Sequence, residues 1–365
     1  MSTGNSEVTG STLRGRIASL DEFRGYTVVG MLLVNFIGDY KITVPAVLRH
    51  HNTYCSYADT IMPQFFFAVG FAYRLTLLRR LETLSSWDAY SAVFRRNLGL
   101  ILLGFVIYHL DGKVGSWQEL QNLGWSGFFA QAFRRDLFQT LVHIAVTAIW
   151  IMPVIAARPG TRIIFMLASG ALHLLFSRLF YFDWAWKVPV IDGGAMGFMS
   201  WAIPMLAGSL AYDLVTESTK GAIPRLLAWA IGLMAIGYLI TGGDGQLDLP
   251  PFVKPGADYV VNMWTMSQRT GSVSYLTFSA GFSVLVYALF VALCDIGTLR
   301  VGLFQTFGQN ALAAYILHPM VASAIKPYLP PDVPAWVLTI GFLAYFGLCY
   351  LFIRHLEKHR LFLKL

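Results

Sequence analysis

Long apolar segments, joined by short polar ones, make up most of this chain. A helix that crosses a membrane needs about 20 mostly apolar residues, and ten segments reach or approach that length. They are residues 23–38, 57–78, 97–110, 137–156, 162–181, 196–214, 223–241, 275–295, 301–323 and 336–353. The pattern therefore predicts an all-α, polytopic membrane protein with about ten transmembrane helices in contact with the lipid bilayer.

The amino-acid composition favours a lipid environment. Hydrophobic residues make up 56% of the 365 residues and charged residues only 13%, about half the charged fraction of an average soluble domain. The net charge of +7 would suit a nucleic acid, but Lys and Arg gather at the ends of the apolar segments, where they anchor helices at lipid headgroups. We therefore expect no nucleic-acid partner.

The domain organisation and orientation follow from the same pattern. Residues 1–15 are rich in Ser, Thr, Gly and Asn and predict a disordered tail, whereas residues 16–365 predict a single transmembrane domain. With a cytoplasmic N-terminus, most Lys and Arg fall on the cytoplasmic side, most clearly over residues 79–96 and near the C-terminus. An even number of crossings then leaves both termini in the cytoplasm.

Four polar features that are far apart in sequence fall at one level of this topology, on the outer side. They are Asn35, the pair His50 and His51, Asp59, and His318. A neutral imidazole is a natural general base near pH 7, and Asp59 or Asn35 could orient it. The alternative is that a histidine at a helix end only extends its side chain to water. This would explain a single histidine, but it does not explain why all these residues share one level. We favour a site, with His318 as a second catalytic or positioning group.

A collar of arginines lies at the opposite, inner level, and it includes Arg24, Arg79, Arg80, Arg95 and Arg96. Anchoring at lipid headgroups explains most of them. Guanidinium groups also bind phosphates in a bidentate manner. The collar is therefore a candidate site for a polyanionic cytoplasmic donor.

Two outer loops and the cysteines leave alternatives open. Residues 242–274 form either a lid or acceptor site or a solvated connector, and residues 182–194 place Trp184 and Trp186 beside Asp183 and Asp192, a pattern that suits a sugar but favours interfacial anchoring. Cys55 is more readily a small wall residue than a nucleophile. The Cys and His spacings do not predict a metal site.

The chain resembles a known family in four stretches: RIASLDEFRGYTVVGMLLVN, LRHHN, YADTIMPQFFFAVG and FGQNALAAYILH. These resemble the heparan-α-glucosaminide N-acetyltransferase family of transmembrane acyltransferases, most strongly over residues 16–80 and more weakly over most of the chain. The large luminal N-terminal domain of the animal enzymes is absent, so the resemblance is to a bacterial-type homologue. The expected location is the bacterial inner membrane.

The resemblance implies transfer of an acetyl group from cytoplasmic acetyl-CoA, the co-substrate, to an amine or hydroxyl of a sugar or glycan across the membrane. The family's essential histidine falls on His50 or, because its WNG is missing here, on His51. Its other site residues fall on Asn35, Asp59 and His318. The histidine would act as a general base in a ternary complex or accept the acetyl group itself. The CoA phosphates would bind Arg24, Arg95 and Arg96, and a homodimer is left open.

A transporter or flippase for a sugar or a lipid-linked intermediate is the alternative function. In that case the outer polar level would be a binding site on a transport path. A transporter would move its substrate without an acyl donor and would not be stabilised by CoA.

Overall fold

The computed structural model describes residues 17–363 except 42, 111, 113, 134 and 135, so the predicted tail at residues 1–15 lies outside the described residues. The described residues form helices and no β-strand. The α-helices are α1 (Ala18–Ile37), α2 (Tyr57–Leu81), α3 (Ser86–His109), α4 (Trp117–Ala132), α5 (Thr140–Ile151), α6 (Pro159–Phe176), α7 (Phe182–Lys187), α8 (Phe198–Glu217), α9 (Thr219–Ile240), α10 (Val273–Phe290), α11 (Gly302–Gln309), α12 (Ala311–Ile325) and α13 (Ala335–Lys358).

The predicted all-α class is confirmed for the described residues, and the helices indicate a multi-pass membrane protein. Within the described ranges, seven helical segments are long and apolar enough to cross a bilayer. They are Tyr57–Leu81, Ser86–His109, Pro159–Lys187, Phe198–Glu217, Thr219–Asp244, Val273–Ile296 and Ala335–Lys358.

The other three predicted crossings are helical but have local features that distinguish them from the seven. The helix α1 has 20 residues, but its first two turns carry Asp21, Glu22 and Arg24. The helix α5 has 12 residues and is followed by turns. The segment 301–323 is divided at Asn310, whose backbone is not helical (φ −122°, ψ 41°), so α11 and α12 are separate helices.

Serine side chains define where several of these helices begin. Ser56 and Asp59 form a reciprocal capping box at the start of α2, in which each side chain accepts a hydrogen bond from the other residue's backbone N–H. The side chains of Ser85, Ser218 and Ser272 each accept a hydrogen bond from a backbone N–H in the first turn of α3, α9 and α10, respectively. Such caps satisfy backbone donors that the helix itself leaves without partners.

Close contact between α1 and α11 fixes the helix that carries Arg24 and Asn35. A Cβ atom at Gly25 would collide with the Phe304 carbonyl group, and one at Gly308 would collide with the Asp21 carbonyl group. The start of α1 is also held by a hydrogen bond of 3.0 Å from the Ser19 amide to Asp295 Oδ1. The position of α1 is therefore set by backbone packing that only glycine permits.

An ion network of two buried arginines and the partly exposed Asp213 joins α2, α6 and α8. Arg74 Nε donates to Asp213 Oδ1 at 2.5 Å, and Arg162 donates to Asp213 Oδ2. Arg74 also donates to the carbonyl oxygen of Ile155, 2.7 Å away, in the turn after α5. Because breaking a buried ion pair leaves an uncompensated charge, the network holds these elements in register.

Candidate active site

A cavity of about 1010 Å³ lies between α1, α2, α3, α5 and α12. Its volume is at the upper end of the range of about 300–1,000 Å³ that is usual for small-molecule sites, so a large ligand can fit. The middle of the cavity is apolar, and both ends are polar. The apolar lining includes Met31, Met62, Phe65, Val69 and Leu100.

The lining residues of α1 run along the helix and connect the two polar ends. Asp21, Arg24, Thr27, Met31 and Val34 recur every three or four positions, which is the spacing of one helical face, and Asn35 follows Val34 at the far end. At about 1.5 Å of rise per residue, Asp21 and Asn35 are about 21 Å apart along the axis. We call the end lined by Arg24, Arg80 and Arg96 the basic end, and the end lined by Asn35, His50 and His318 the histidine end.

At the histidine end, His50 is oriented by Asp59. His50 Nδ1 lies 2.9 Å from Asp59 Oδ1. An ionised carboxylate can only accept a hydrogen bond, so Nδ1 carries the proton and Nε2 keeps its lone pair. The side chain of His50 is 40% exposed and Asp59 is fully buried, and His50 lines the cavity. Its exposed surface therefore opens into the cavity.

The Asp59 carboxylate is held in place by the start of its own helix. Its Oδ2 accepts from the Ser56 amide at 2.9 Å and from the Ser56 hydroxyl at 2.8 Å. The Ser56 hydroxyl also lies 2.8 Å from the Arg49 carbonyl oxygen. The tight loop before α2 thus positions both members of the His50–Asp59 pair.

The two adjacent histidines, His50 and His51, have different surroundings in the structure. His51 Nε2 bonds to the carbonyl oxygen of Ala46 at 2.8 Å, and its ring stacks on Tyr54 with centroids 4.4 Å apart. His51 is not among the residues that line the cavity. Of the two candidates for the catalytic base, only His50 faces the cavity.

The environment of His50 shifts its pKa upward. Burial lowers the pKa of His50, but the hydrogen bond and charge of Asp59, the charge of Asp192 and a hydrogen bond with Gln268 outweigh it, so the pKa lies above the ordinary 6.5. Burial lowers the pKa of His51 below 6.5. His50 is thus a stronger base than an unpaired imidazole.

Asn35 and His318, predicted from opposite ends of the sequence, are in contact. Asn35 Nδ2 lies 3.3 Å from His318 Nε2, and His318 Nδ1 lies 2.6 Å from the Tyr315 carbonyl oxygen. The carbonyl requires a proton on Nδ1, so Nε2 accepts from Asn35. His318 therefore fixes the orientation of the Asn35 amide, and both residues line the cavity.

Four arginines from three helices, Arg24, Arg79, Arg80 and Arg96, line the basic end. Arg24 on α1, Arg80 on α2 and Arg96 on α3 line the cavity, and the charges of Arg24 and Arg80 act on Arg96. Gathering like charges costs free energy. Arg95, also predicted to bind the donor, is exposed and is not among the cavity-lining residues.

Arg80 and Arg96 at the basic end differ from the buried arginines nearby. Arg74 and Arg162 share the carboxylate of Asp213. In the described part of the chain, no carboxylate is hydrogen-bonded to Arg80 or Arg96. Arginine is well suited to bidentate binding of phosphate, so this end is a candidate site for a phosphorylated ligand.

Two residues at the histidine end were not among the predicted site residues. Asp192 and Gln268, from the loops at 188–197 and 242–274, both line the cavity, and Gln268 Nε2 donates to Asp192 Oδ1 at 2.9 Å. Burial raises the pKa of Asp192 to about 6. In the sequence, the run Asp192-Gly193-Gly194 indicates a turn. In the structure, all three of these residues have positive φ.

Cys55 comes just before α2 and does not line the cavity. Its side chain is buried, and burial raises the pKa of the thiol. Since the thiolate is the nucleophilic form, this position argues against a nucleophilic role for Cys55, and Cys55 does not contribute to the wall of this cavity either. Among the described residues, no group of three or more His, Cys, Asp or Glu side chains is arranged to hold a metal ion.

Comparison with known protein families and with curated proteins does not assign a function to this site. No family model matches the chain, and neither does any curated protein.

Proposed function

We propose that the protein is a membrane acyltransferase that moves an acetyl group from cytoplasmic acetyl-CoA to an amine or hydroxyl of a sugar or glycan on the other side of the membrane. The observation that carries this proposal is the cavity, which joins an arginine cluster to a carboxylate-oriented histidine. A phosphorylated donor with a long arm needs both ends. The family resemblance in the sequence supports the same function.

In this proposal the phosphates of CoA bind Arg24, Arg80 and Arg96, and the pantetheine arm follows the apolar middle of the cavity. The thioester then lies at the histidine end. The apolar walls suit the arm because it has few charges, and they exclude water that would hydrolyse the thioester. The separation of about 21 Å along α1 requires an extended donor.

The chemistry assigned to the histidine end is general base catalysis. The acceptor N–H or O–H donates to His50 Nε2 and loses its proton as the nucleophile attacks the thioester carbonyl carbon. The C–S bond then breaks, and the departing CoA sulfur takes the proton from the His50 imidazolium. Asp59 stabilises that imidazolium, and the second N–H of Asn35 donates to the carbonyl oxygen as negative charge develops there.

The proposal includes a membrane topology. Ten crossings place both termini and the basic end in the cytoplasm, where acetyl-CoA is found, and the histidine end outside. The segments α1, α5 and α11–α12 then cross beside the seven long apolar helices. The location is the bacterial inner membrane.

Arg96→Gln should weaken CoA binding about tenfold or more, because a hydrogen bond to a charged group contributes about 1.5–3 kcal/mol. The matched control is Arg95→Gln, which removes the adjacent charge from the exposed face of the same helix and should leave the Kd within about twofold. Calorimetry on the purified protein in detergent measures both. Equal Kd values for the two variants would contradict the assignment of the basic end.

A further inference from the structure

We propose that Asp192 and Gln268 form an acceptor subsite facing His50, a function that rests on the proposed acetyl transfer. The subsite holds a polar acceptor through N–H or O–H groups next to its nucleophile, with a neutral amine as the best partner. It belongs to two loops outside the helices that bind the donor. Donor and acceptor would therefore be recognised by separate parts of the chain.

The placement of Asp192 is the first argument. Its side chain is 3% exposed, yet it lines the cavity together with His50 and Gln268. In the described part of the chain, Gln268 is the hydrogen-bond donor to the Asp192 carboxylate, at Oδ1. A carboxylate can accept about four hydrogen bonds, so Asp192 keeps capacity for a ligand in the cavity.

The two loops are built to hold this carboxylate in place. Arg269 donates to the carbonyl oxygens of Ala185, Trp186 and Val188 at 2.9–3.2 Å, and the Gly193 amide donates to the Arg269 carbonyl at 3.0 Å. Trp201 Nε1 donates to the Asp192 carbonyl oxygen at 2.6 Å. These bonds connect the loop at 188–197 to the loop at 242–274 and attach both to α7 and α8.

The backbone at this point adopts a conformation that few residues favour. Asp192 has φ 53°, and the glycines at 193, 194 and 271 have φ values of 85°, 55° and 57°. A residue with a side chain is uncommon in this region, although Asp and Asn are enriched there. The turn places Asp192 where it lines the cavity together with His50.

The charge pattern along the cavity indicates the chemistry of the ligand. The basic end suits an anion, whereas the histidine end holds Asp192 with Asp59 behind His50. A buried carboxylate loses its hydrogen bonds to water, and an N–H or O–H donor of a bound ligand would replace those hydrogen bonds. A group held between Asp192 and His50 Nε2 would be aligned for proton removal, so Asp192 would be a positioning residue for the acceptor.

The test compares Asp192→Asn with Asp183→Asn in direct binding of glucosamine to the purified full-length protein, with CoA binding measured on the same samples. Asparagine accepts positive φ, so the loop should keep its shape. Asp183 is exposed on α7 and serves as the matched control. Gln268→Leu is a second variant that keeps the Asp192 carboxylate.

We expect Asp192→Asn to raise the Kd for glucosamine about tenfold or more, Gln268→Leu to raise it to a smaller extent, and Asp183→Asn to leave it unchanged. The Kd for CoA should stay within about twofold in all three variants. Glucose, which has a hydroxyl in place of the amine, should bind more weakly and respond less to Asp192→Asn. A larger effect on glucose would assign the subsite to hydroxyl acceptors and overturn the preference for an amine.

Unchanged glucosamine binding in Asp192→Asn would overturn the subsite. An equal loss of glucosamine and CoA binding would overturn it too, because that result indicates a structural defect. If the wild type binds glucosamine through Asp192 but does not bind CoA, the subsite stands and the proposed acetyl transfer fails.

Discussion

His50→Ala should lower the rate of acetyl transfer about 10²- to 10⁴-fold, the usual contribution of a positioned general base. His50 is the histidine that lines the cavity, and Asp59 holds the proton on its Nδ1. The effect should fall on kcat, and the Kd for CoA should change little because the basic end is distant. The measurement is transfer of labelled acetyl groups to glucosamine under saturating donor.

The control for this prediction is His51→Ala. His51 bonds to a backbone carbonyl and stacks on Tyr54, so its loss should reduce thermal stability and leave kcat within a few fold. The opposite pattern, in which His51→Ala removes transfer and His50→Ala does not, would show that the wrong histidine has been assigned. Full activity in both variants would exclude this mechanism.

Asp59→Asn should lower transfer about 100-fold or more, because an asparagine amide can donate to His50 Nδ1 and so place the ring proton on Nε2, where the lone pair is needed. It should also shift the pH dependence. The base must be neutral, so activity rises with pH through the pKa of His50, which lies above 6.5 in the wild type. Loss of the Asp59 charge lowers that pKa and moves the acidic limb of the kcat/KM profile to lower pH.

The matched control is Asp39→Asn, which removes a largely exposed carboxylate that pairs with Lys326. Its pH profile should match that of the wild type. If Asp59→Asn lowers the rate without moving the acidic limb, Asp59 supports the loop and does not set the pKa of His50. A shift to higher pH would contradict the assigned direction.

The sequence predicts the helices well because the apolar segments are long. The sequence predicts less well the segments that are short, that carry charged residues or that are divided into two helices. The segment 301–323 is continuous in hydropathy, yet its backbone breaks at Asn310, whose side chain donates from Nδ2 to the Leu361 carbonyl oxygen at 3.2 Å and accepts from the Leu363 amide at 3.3 Å. That break depends on a partner about 50 residues away, which a local pattern does not contain.

In the candidate site, too, some residues could be predicted from the sequence and others could not. Asn35, Asp59 and His318 could be grouped from the predicted topology, because helix ends at one level are few. The choice between His50 and His51 could not be made, because both lie in the loop before α2 and tertiary contacts set their directions. Arg95 was predicted to bind the donor together with Arg96, but adjacent residues on a helix point about 100° apart, and only Arg96 lines the cavity.

The sequence places the loops of Asp192 and Gln268 on the same outer side, but it could not pair these two residues, because the loops meet only through tertiary contacts. The hydrogen bond from Gly193 to Arg269 and the carbonyl contacts of the Arg269 side chain bring them together. The nearest local clue was the Asp-Gly-Gly run, which predicts a turn but not the direction of its side chain.

The most direct test of the central claim is a transfer assay in liposomes, with acetyl-CoA on the side of the basic end and glucosamine on the side of the histidine end. We predict that labelled N-acetylglucosamine forms on the histidine side, that formation requires acetyl-CoA on the opposite side, and that His50→Ala abolishes it. Movement of unmodified glucosamine across the membrane without any acyl donor, with no acetylated product, would contradict the proposal and indicate a transporter.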